Sequence, residues 1–126
     1  MNRIRFGAAL LIVLLIAGLW VAGNMTRWSE EIAGQLDISA RQAFEEDFSS
    51  AVRTAGQAER QWQARWGINA AIADHAPLEQ VDVGFAQLHI YADCRDRLSF
   101  AALCAQLAQQ IRAIGEGAGA GWKNIL

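Results

Sequence analysis

An uninterrupted apolar run near the N-terminus constrains the fold of this chain more than any other feature. The run FGAALLIVLLIAGLWVAG, residues 6–23, contains no charged side chain. Its length approaches the roughly 20 residues with which a helix crosses a bilayer. Trp20 and Trp28 flank its far end, where indoles favour the membrane interface. We therefore predict a membrane anchor over residues 1–27 and a folded domain over residues 28–126.

The same segment could instead be a signal peptide that is cleaved during export. Its features would be the basic start MNRIR, the apolar run and the small-residue exit VAG. The run is longer than the ~7–15 apolar residues of a usual signal peptide, which favours the uncleaved anchor. Cleavage would leave a secreted protein.

Arginines on the two flanks of the run predict its orientation. Arg3 and Arg5 precede it, whereas Arg27 is the one basic residue that closely follows. Because cytoplasmic flanks are enriched in Lys and Arg, and acidic residues count for little, the N-terminus is predicted to be cytoplasmic. The domain would then lie outside the cell membrane, as in a single-pass protein.

The charge of the chain argues against nucleic acid as a partner. The formal net charge is −2, and arginines are scattered among acids and amides. A nucleic-acid-binding surface would need a basic patch or stripe.

Apolar residues beyond the anchor recur at steps of three and four, as they do along buried helix faces. The chain also has a single proline. The stripes are Trp28, Ile32, Leu36 and Ala40; Phe44, Phe48, Val52, Ala55, Ala58, Trp62, Trp66, Ala70 and Ala73; Leu78, Val81, Phe85, Leu88 and Ala92; Phe100, Leu103, Leu107, Ile111 and Ile114. We predict an all-α fold, in which a transmembrane helix precedes a small antiparallel bundle of two helical hairpins.

Capping residues predict where these helices begin and end. Asp47 can cap a helix that starts at Phe48, although SARQ, residues 39–42, offers a competing capping box. Asp96 can cap the last helix. The glycines of GEGAGAG should end it, which leaves residues 116–126 as a glycine-rich linker with an apolar tail.

The segment ADHAP holds the polar pair best suited to chemistry. Asp74 could orient His75 as a general base, or both could join His89 in a ligand or metal site. However, no activated serine motif and no paired-histidine zinc motif accompanies them. His75 near a helix end, Asp74 beside free N–H groups and Pro77 in a first turn also suit a structural joint, which we favour.

The two cysteines offer a second candidate for chemistry. Cys104 with His75 or His89 is the sharpest hypothesis of covalent catalysis, but Cys104 lies on an apolar stripe, where a thiol is usually inert. Cys94 and Cys104 do not have zinc-site spacing, and whether they pair is left open. We predict no catalytic residue, no bound metal and no cofactor.

Tryptophans provide the remaining candidate site. Trp62 and Trp66 lie one helical turn apart and could form an interaction surface, together with Trp122 in the tail. Large aromatic side chains at this spacing are more often part of a core.

Several short motifs occur in a familiar order: WQARW, ADH, VGFAQLHIYADCRD and a terminal NIL. Together with the N-terminal anchor they resemble the bacterial family catalogued as domain of unknown function 4363. The matching residues are Trp62, Trp66, Asp74, His75, Leu88, Tyr91, Asp96, Asn124, Ile125 and Leu126. Pro77 and GEGAGAG depart from the family pattern. Because that family has no established activity, the resemblance implies a small, anchored, all-helical protein and no particular chemistry.

These observations favour a non-enzymatic interaction or accessory protein of the bacterial cell envelope. Its partners would be the lipid bilayer and either another envelope protein or a second copy of itself. The alternative is an extracytoplasmic ligand- or metal-sensing domain that uses Asp74, His75 and His89.

Overall fold

The computed structural model describes residues 2–45, 47–72 and 75–125, with the side chains of residues 21–22, 25, 68–72 and 118–125 left out. Within these residues there are four helices and no strand: α1 (Asn2–Phe44), α2 (Phe48–Ile72), α3 (His75–Asp93) and α4 (Arg97–Ile125). The predicted all-α class, an apolar N-terminal helix followed by a helical bundle, is confirmed.

Helix α1 runs without interruption through the apolar segment and into the bundle. It has 43 residues, which corresponds to about 65 Å at ~1.5 Å per residue. Among the described residues, Asn2–Trp20 is the one stretch long and apolar enough to cross a membrane, with a mean hydropathy of 1.9 and 6% of it buried. From Trp28 onward the same helix contributes to the core through Trp28, Ile32 and Leu36.

The core lies between four antiparallel helices. Helix α1 packs mainly on α4 and α2, and α3 packs mainly on α4. The predicted stripes supply most of the buried side chains, with Trp62, Phe100, Leu78, Leu107 and Ile111 fully buried. Phe44 and Val52 are exceptions, since both are exposed. Helix α2 touches α3 much less closely, which leaves a groove between them.

Both predicted caps are confirmed. The Ser50 N–H donates to Asp47 Oδ1 at 3.3 Å, and the Ser99 N–H donates to Asp96 Oδ1 at 3.2 Å. Hydrogen bonds from Ser99, first from its side chain and then from its backbone, lower the pKa of the Asp96 carboxyl. The competing capping box is wrong, because Ser39 lies inside α1.

The predicted end of the last helix is wrong, since α4 continues past Gly115 and Gly117 to Ile125. Residues 116–125 are therefore helical and do not form a linker. A glycine inside a helix costs only about 1 kcal/mol relative to alanine, and the common way in which it ends a helix is by taking a left-handed conformation. None of the described glycines has a positive φ; Arg95, between α3 and α4, has one of 56°.

Helices α3 and α4 approach most closely at Gly84. A Cβ atom at this position would overlap Leu107 Cδ2 and lie 3.2 Å from Leu107 Cγ. Leu107 is fully buried, so it has little room to move. The absence of a side chain at Gly84 permits this contact.

Candidate functional site between helices α2 and α3

The groove between α2 and α3 collects polar and aromatic side chains that do not fit the apolar stripes. It is open to solvent along one side. Its walls and floor comprise Glu59, Trp62, Gln63 and Trp66 from α2, and Asp82, Phe85, Ala86 and His89 from α3. Two pairs of contacts cross it.

The first pair of contacts joins two indoles to one carboxylate. Trp62 Nε1–H donates to Asp82 Oδ1 at 2.8 Å, and Trp66 Nε1–H donates to Asp82 Oδ2 at 2.9 Å. A carboxylate acceptor makes such hydrogen bonds shorter and stronger than neutral ones. Each oxygen of Asp82 thus holds one indole of α2, and the carboxylate fixes α3 beside α2.

Trp62 belongs to the core and contributes no surface. It is 0% exposed, and its ring lies 6.0 Å from the ring of Trp28 at an interplanar angle of 49°. The guanidinium of Arg65 stands 5.8 Å from the Trp28 ring centroid, within reach of a cation–π interaction. The interpretation of Trp62 as an interaction surface is therefore wrong. Trp66 is half-buried, and the side chain of Trp122 lies outside those described.

The second pair of contacts joins His89 to Glu59. His89 Nε2 lies 2.9 Å from Glu59 Oε2 and 3.0 Å from Oε1. The imidazole is well exposed, whereas the carboxylate is mostly covered. The pair is ionic only when the imidazole is protonated. It closes the groove at a point farther from the α2–α3 connection than the indoles do.

The predicted joint is only partly within the described residues. Asp74 lies outside them, so its role stays a prediction. His75 is the first residue of α3 and is exposed, and Pro77 lies in the first turn as predicted. A proline is tolerated there because its missing N–H would have no partner within the helix.

A shared ligand for His75 and His89 does not fit the structure. Both lie on the continuous helix α3, and their separation in sequence corresponds to about 21 Å at ~1.5 Å per residue. The hypothesis of one metal or ligand site that contains both histidines is therefore wrong. Across the described parts of the chain, no three His, Cys, Asp or Glu side chains come close enough to hold a metal.

Cys104 is a core thiol. It is fully buried in α4, and its Sγ–H points to Ser39 Oγ at 3.7 Å. Burial raises the pKa of the Cys104 thiol to about 11, although the hydrogen bond with Ser39 acts in the opposite direction. Since the thiolate is the nucleophile, this environment suppresses its reactivity. Cys94 is exposed beyond the end of α3, and both thiols are free.

Asp82 was not identified from the sequence as a site residue. One available signal was the pair of indoles one turn apart, because buried indole N–H groups need acceptors. In an antiparallel hairpin, residues about equally distant from the connection lie opposite each other. That rule brings Asp82 to Trp62 and Trp66, and it brings His89 to Glu59.

Comparison with known proteins adds no relative: no family model, curated protein or solved structure matches the chain. The resemblance to domain of unknown function 4363 therefore stays a prediction.

Proposed function

We propose that this chain is a non-enzymatic, single-pass membrane protein of the bacterial cell envelope. Its helical domain, on the outer side of the membrane, binds another envelope protein or a second copy of itself. The N-terminus is cytoplasmic. The observation that carries the proposal is the apolar surface of α1, which extends around the helix and continues directly into the bundle.

Residues 10–13 illustrate this surface. Successive helical residues are turned by about 100°, so these four side chains point to four sides of α1. All are large and apolar, and each exposes between 53% and 63% of its surface. A surface helix of a soluble protein has one polar face, whereas a helix surrounded by acyl chains is apolar on every side. The anchor therefore favours a lipid environment.

The polar groups best placed for chemistry hold helices together instead. Both oxygens of Asp82 accept hydrogen bonds from indoles. Arg112 Nε donates to Glu30 Oε1 at 3.0 Å, and Arg112 Nη2 donates to Asp37 Oδ2 at 2.8 Å. Asp37 first, and Glu30 second, raise the pKa of Arg112. This use of the polar groups supports a scaffold rather than an enzyme.

We assign the binding of the protein partner to a surface that carries two exposed apolar side chains. Phe44 and Leu98 expose 65% and 71% of their surfaces. Phe44 lies two heptads after Glu30 on α1, and Leu98 lies two heptads before Arg112 on α4. Because residues seven apart share a helix face, both lie on the side of the bundle where Arg112 bridges α4 to α1.

Photo-cross-linking in intact cells tests the proposal. A photoreactive amino acid replaces Leu98 in the full-length chain, and the matched control places it at the exposed residue Gln57 on α2. We expect the chain in the membrane fraction, with one discrete cross-linked product from position 98 and much less from position 57. Recovery from the soluble fraction would contradict the anchor, and equal diffuse products from both positions would contradict the binding surface.

A further inference from the structure

The register between α1 and α2 determines how far the bundle reaches toward the apolar segment. The Ser39 hydroxyl donates to the Ala51 carbonyl at 2.6 Å, and the rings of Trp28 and Trp62 lie 6.0 Å apart. The same number of residues separates the two contacts on each helix. The helices are therefore antiparallel without slippage. Extending this register to Ile72 places the end of α2 level with Gly18 of α1.

A separate set of contacts shows that α4 also ends near the level of Gly18. Cys104 Sγ contacts Ser39 Oγ, and Arg112 contacts Glu30 farther along the same two helices. Because the two helices again run antiparallel, extending this register to Ile125 brings the end of α4 to within about one turn of Gly18. The ends of α2 and α4 thus lie at about the same level along α1, which is that of Gly18. We call this level the boundary of the bundle.

Burial along α1 agrees with this boundary. Every described residue from position 2 to position 17 is exposed or half-buried, and Gly18 is buried. Gly18 lies inside the stretch Asn2–Trp20 that is long and apolar enough to cross a membrane. The apolar run of the sequence continues to Gly23, so the boundary lies about 8 Å before its end at ~1.5 Å per residue.

The membrane-proximal segments of α2 and α4 have a composition that suits this position. No charged residue occurs between Arg65 and Asp74, and residues 117–122, GAGAGW, carry none either. Lys123 is the one charged residue of 117–125, and a lysine at this level can extend its ammonium group toward the headgroups. At the start of α3, Ala76 and Pro77 are exposed. By contrast, the distal part of α2 carries Arg53, Glu59 and Arg60.

We propose that this end of the bundle is immersed in the headgroup–acyl boundary of the bilayer. We call it the bundle base and define it as residues 67–72 of α2, 75–77 of α3 and 117–125 of α4. The immersion, about 8 Å, matches the ~5–10 Å to which interfacial helices are buried. The partner of this surface is phospholipid. Helix α1 is continuous from the apolar segment into the bundle, so no flexible linker separates the bundle from the membrane. The inference rests on the proposed membrane anchor.

Nitroxide spin labels at single cysteines test the depth. The full chain, with Cys94→Ser, is reconstituted into vesicles of phosphatidylcholine and phosphatidylglycerol. Cys104 stays in place because a buried thiol with a pKa of about 11 escapes labelling in the folded protein. Labels are introduced by Leu11→Cys in the anchor, Ala76→Cys at the base and Ser49→Cys at the opposite end. Gly67→Cys provides a second base position, where nothing lies within 4 Å of a new Cβ.

Relaxation by oxygen and by a water-soluble nickel chelate reports the depth of each label. We expect the Leu11 label in the acyl chains, the Ser49 label in water, and the Ala76 and Gly67 labels at intermediate depths. A Leu11 label in the acyl chains with Ala76 and Gly67 labels as accessible to nickel as Ser49 would overturn the immersion and leave the anchor standing. A Leu11 label accessible to nickel would overturn the anchor and the immersion together.

Discussion

Trp62 on α2 and Asp82 on α3 form a hydrogen bond of 2.8 Å across the groove where these two helices are least closely packed. The indole of Trp62 is fully buried, whereas its acceptor stands at the edge of the bundle. Trp66 shares the same carboxylate. The Asp82 carboxylate therefore helps to hold α3 beside α2, together with the pair of His89 and Glu59.

Replacement of that carboxylate should destabilise the bundle. In Asp82→Ala the buried N–H of Trp62 loses its acceptor, and we expect the free energy of unfolding to fall by about 1–3 kcal/mol. Thermal unfolding in detergent micelles, followed by circular dichroism and tryptophan fluorescence, measures the change. Glu79→Ala, which removes an exposed acid on the same helix, is the control and should stay within about 0.5 kcal/mol. Equal effects of the two substitutions would contradict this role of Asp82.

Local features of the fold could be predicted from the sequence, since the necessary residues are close in the chain. Asp47 and Asp96 cap helices by accepting hydrogen bonds from N–H groups three residues later. The spacing of apolar residues indicates which face of each helix is buried. These signals require no knowledge of neighbouring helices.

Features that depend on distant residues were missed. The continuation of α4 through Gly117 is compatible with its packing along α1, because tertiary contacts can offset the weak helix propensity of glycine. The acceptor of Trp62 is likewise 20 residues away. The joint at His75 and Pro77 could be placed at the start of a helix, whereas Asp82 becomes the expected acceptor only once α2 and α3 are paired as an antiparallel hairpin.

Gly84 should not tolerate a side chain. In Gly84→Ala the new methyl group would overlap Leu107, and we expect a loss of about 1–3 kcal/mol from overpacking. Gly34→Ala is the matched control, since nothing lies within 4 Å of its Cβ; it should be neutral or stabilising by up to about 1 kcal/mol. Chemical denaturation in micelles distinguishes the two. A stabilised Gly84→Ala variant would show that α3 and α4 can separate at little cost.

Ser39 should contribute to the packing of α1 against α2 and α4. Its buried hydroxyl donates to the Ala51 carbonyl and contacts Cys104 Sγ. We expect Ser39→Ala to cost about 1 kcal/mol, the net value of a typical internal hydrogen bond. The exposed Ser49→Ala on α2 is the control in the same unfolding measurement. An unchanged stability of Ser39→Ala would mean that apolar packing alone sets this contact.

Alkaline pH should weaken the fold through Cys104. Burial raises the pKa of this thiol from 9.0 to about 11, so the folded state holds the proton more tightly than the unfolded state does. The resulting stability is complete below about pH 9 and is lost as the pH rises through about 11, with a total of roughly 3 kcal/mol. Unfolding of the native chain and of Cys104→Ala, measured between these pH values, isolates this contribution from that of other titrating groups. Cys94→Ser, which removes an exposed thiol, should keep the pH dependence of the native chain. A Cys104→Ala variant with the same pH dependence would mean that other groups cause it.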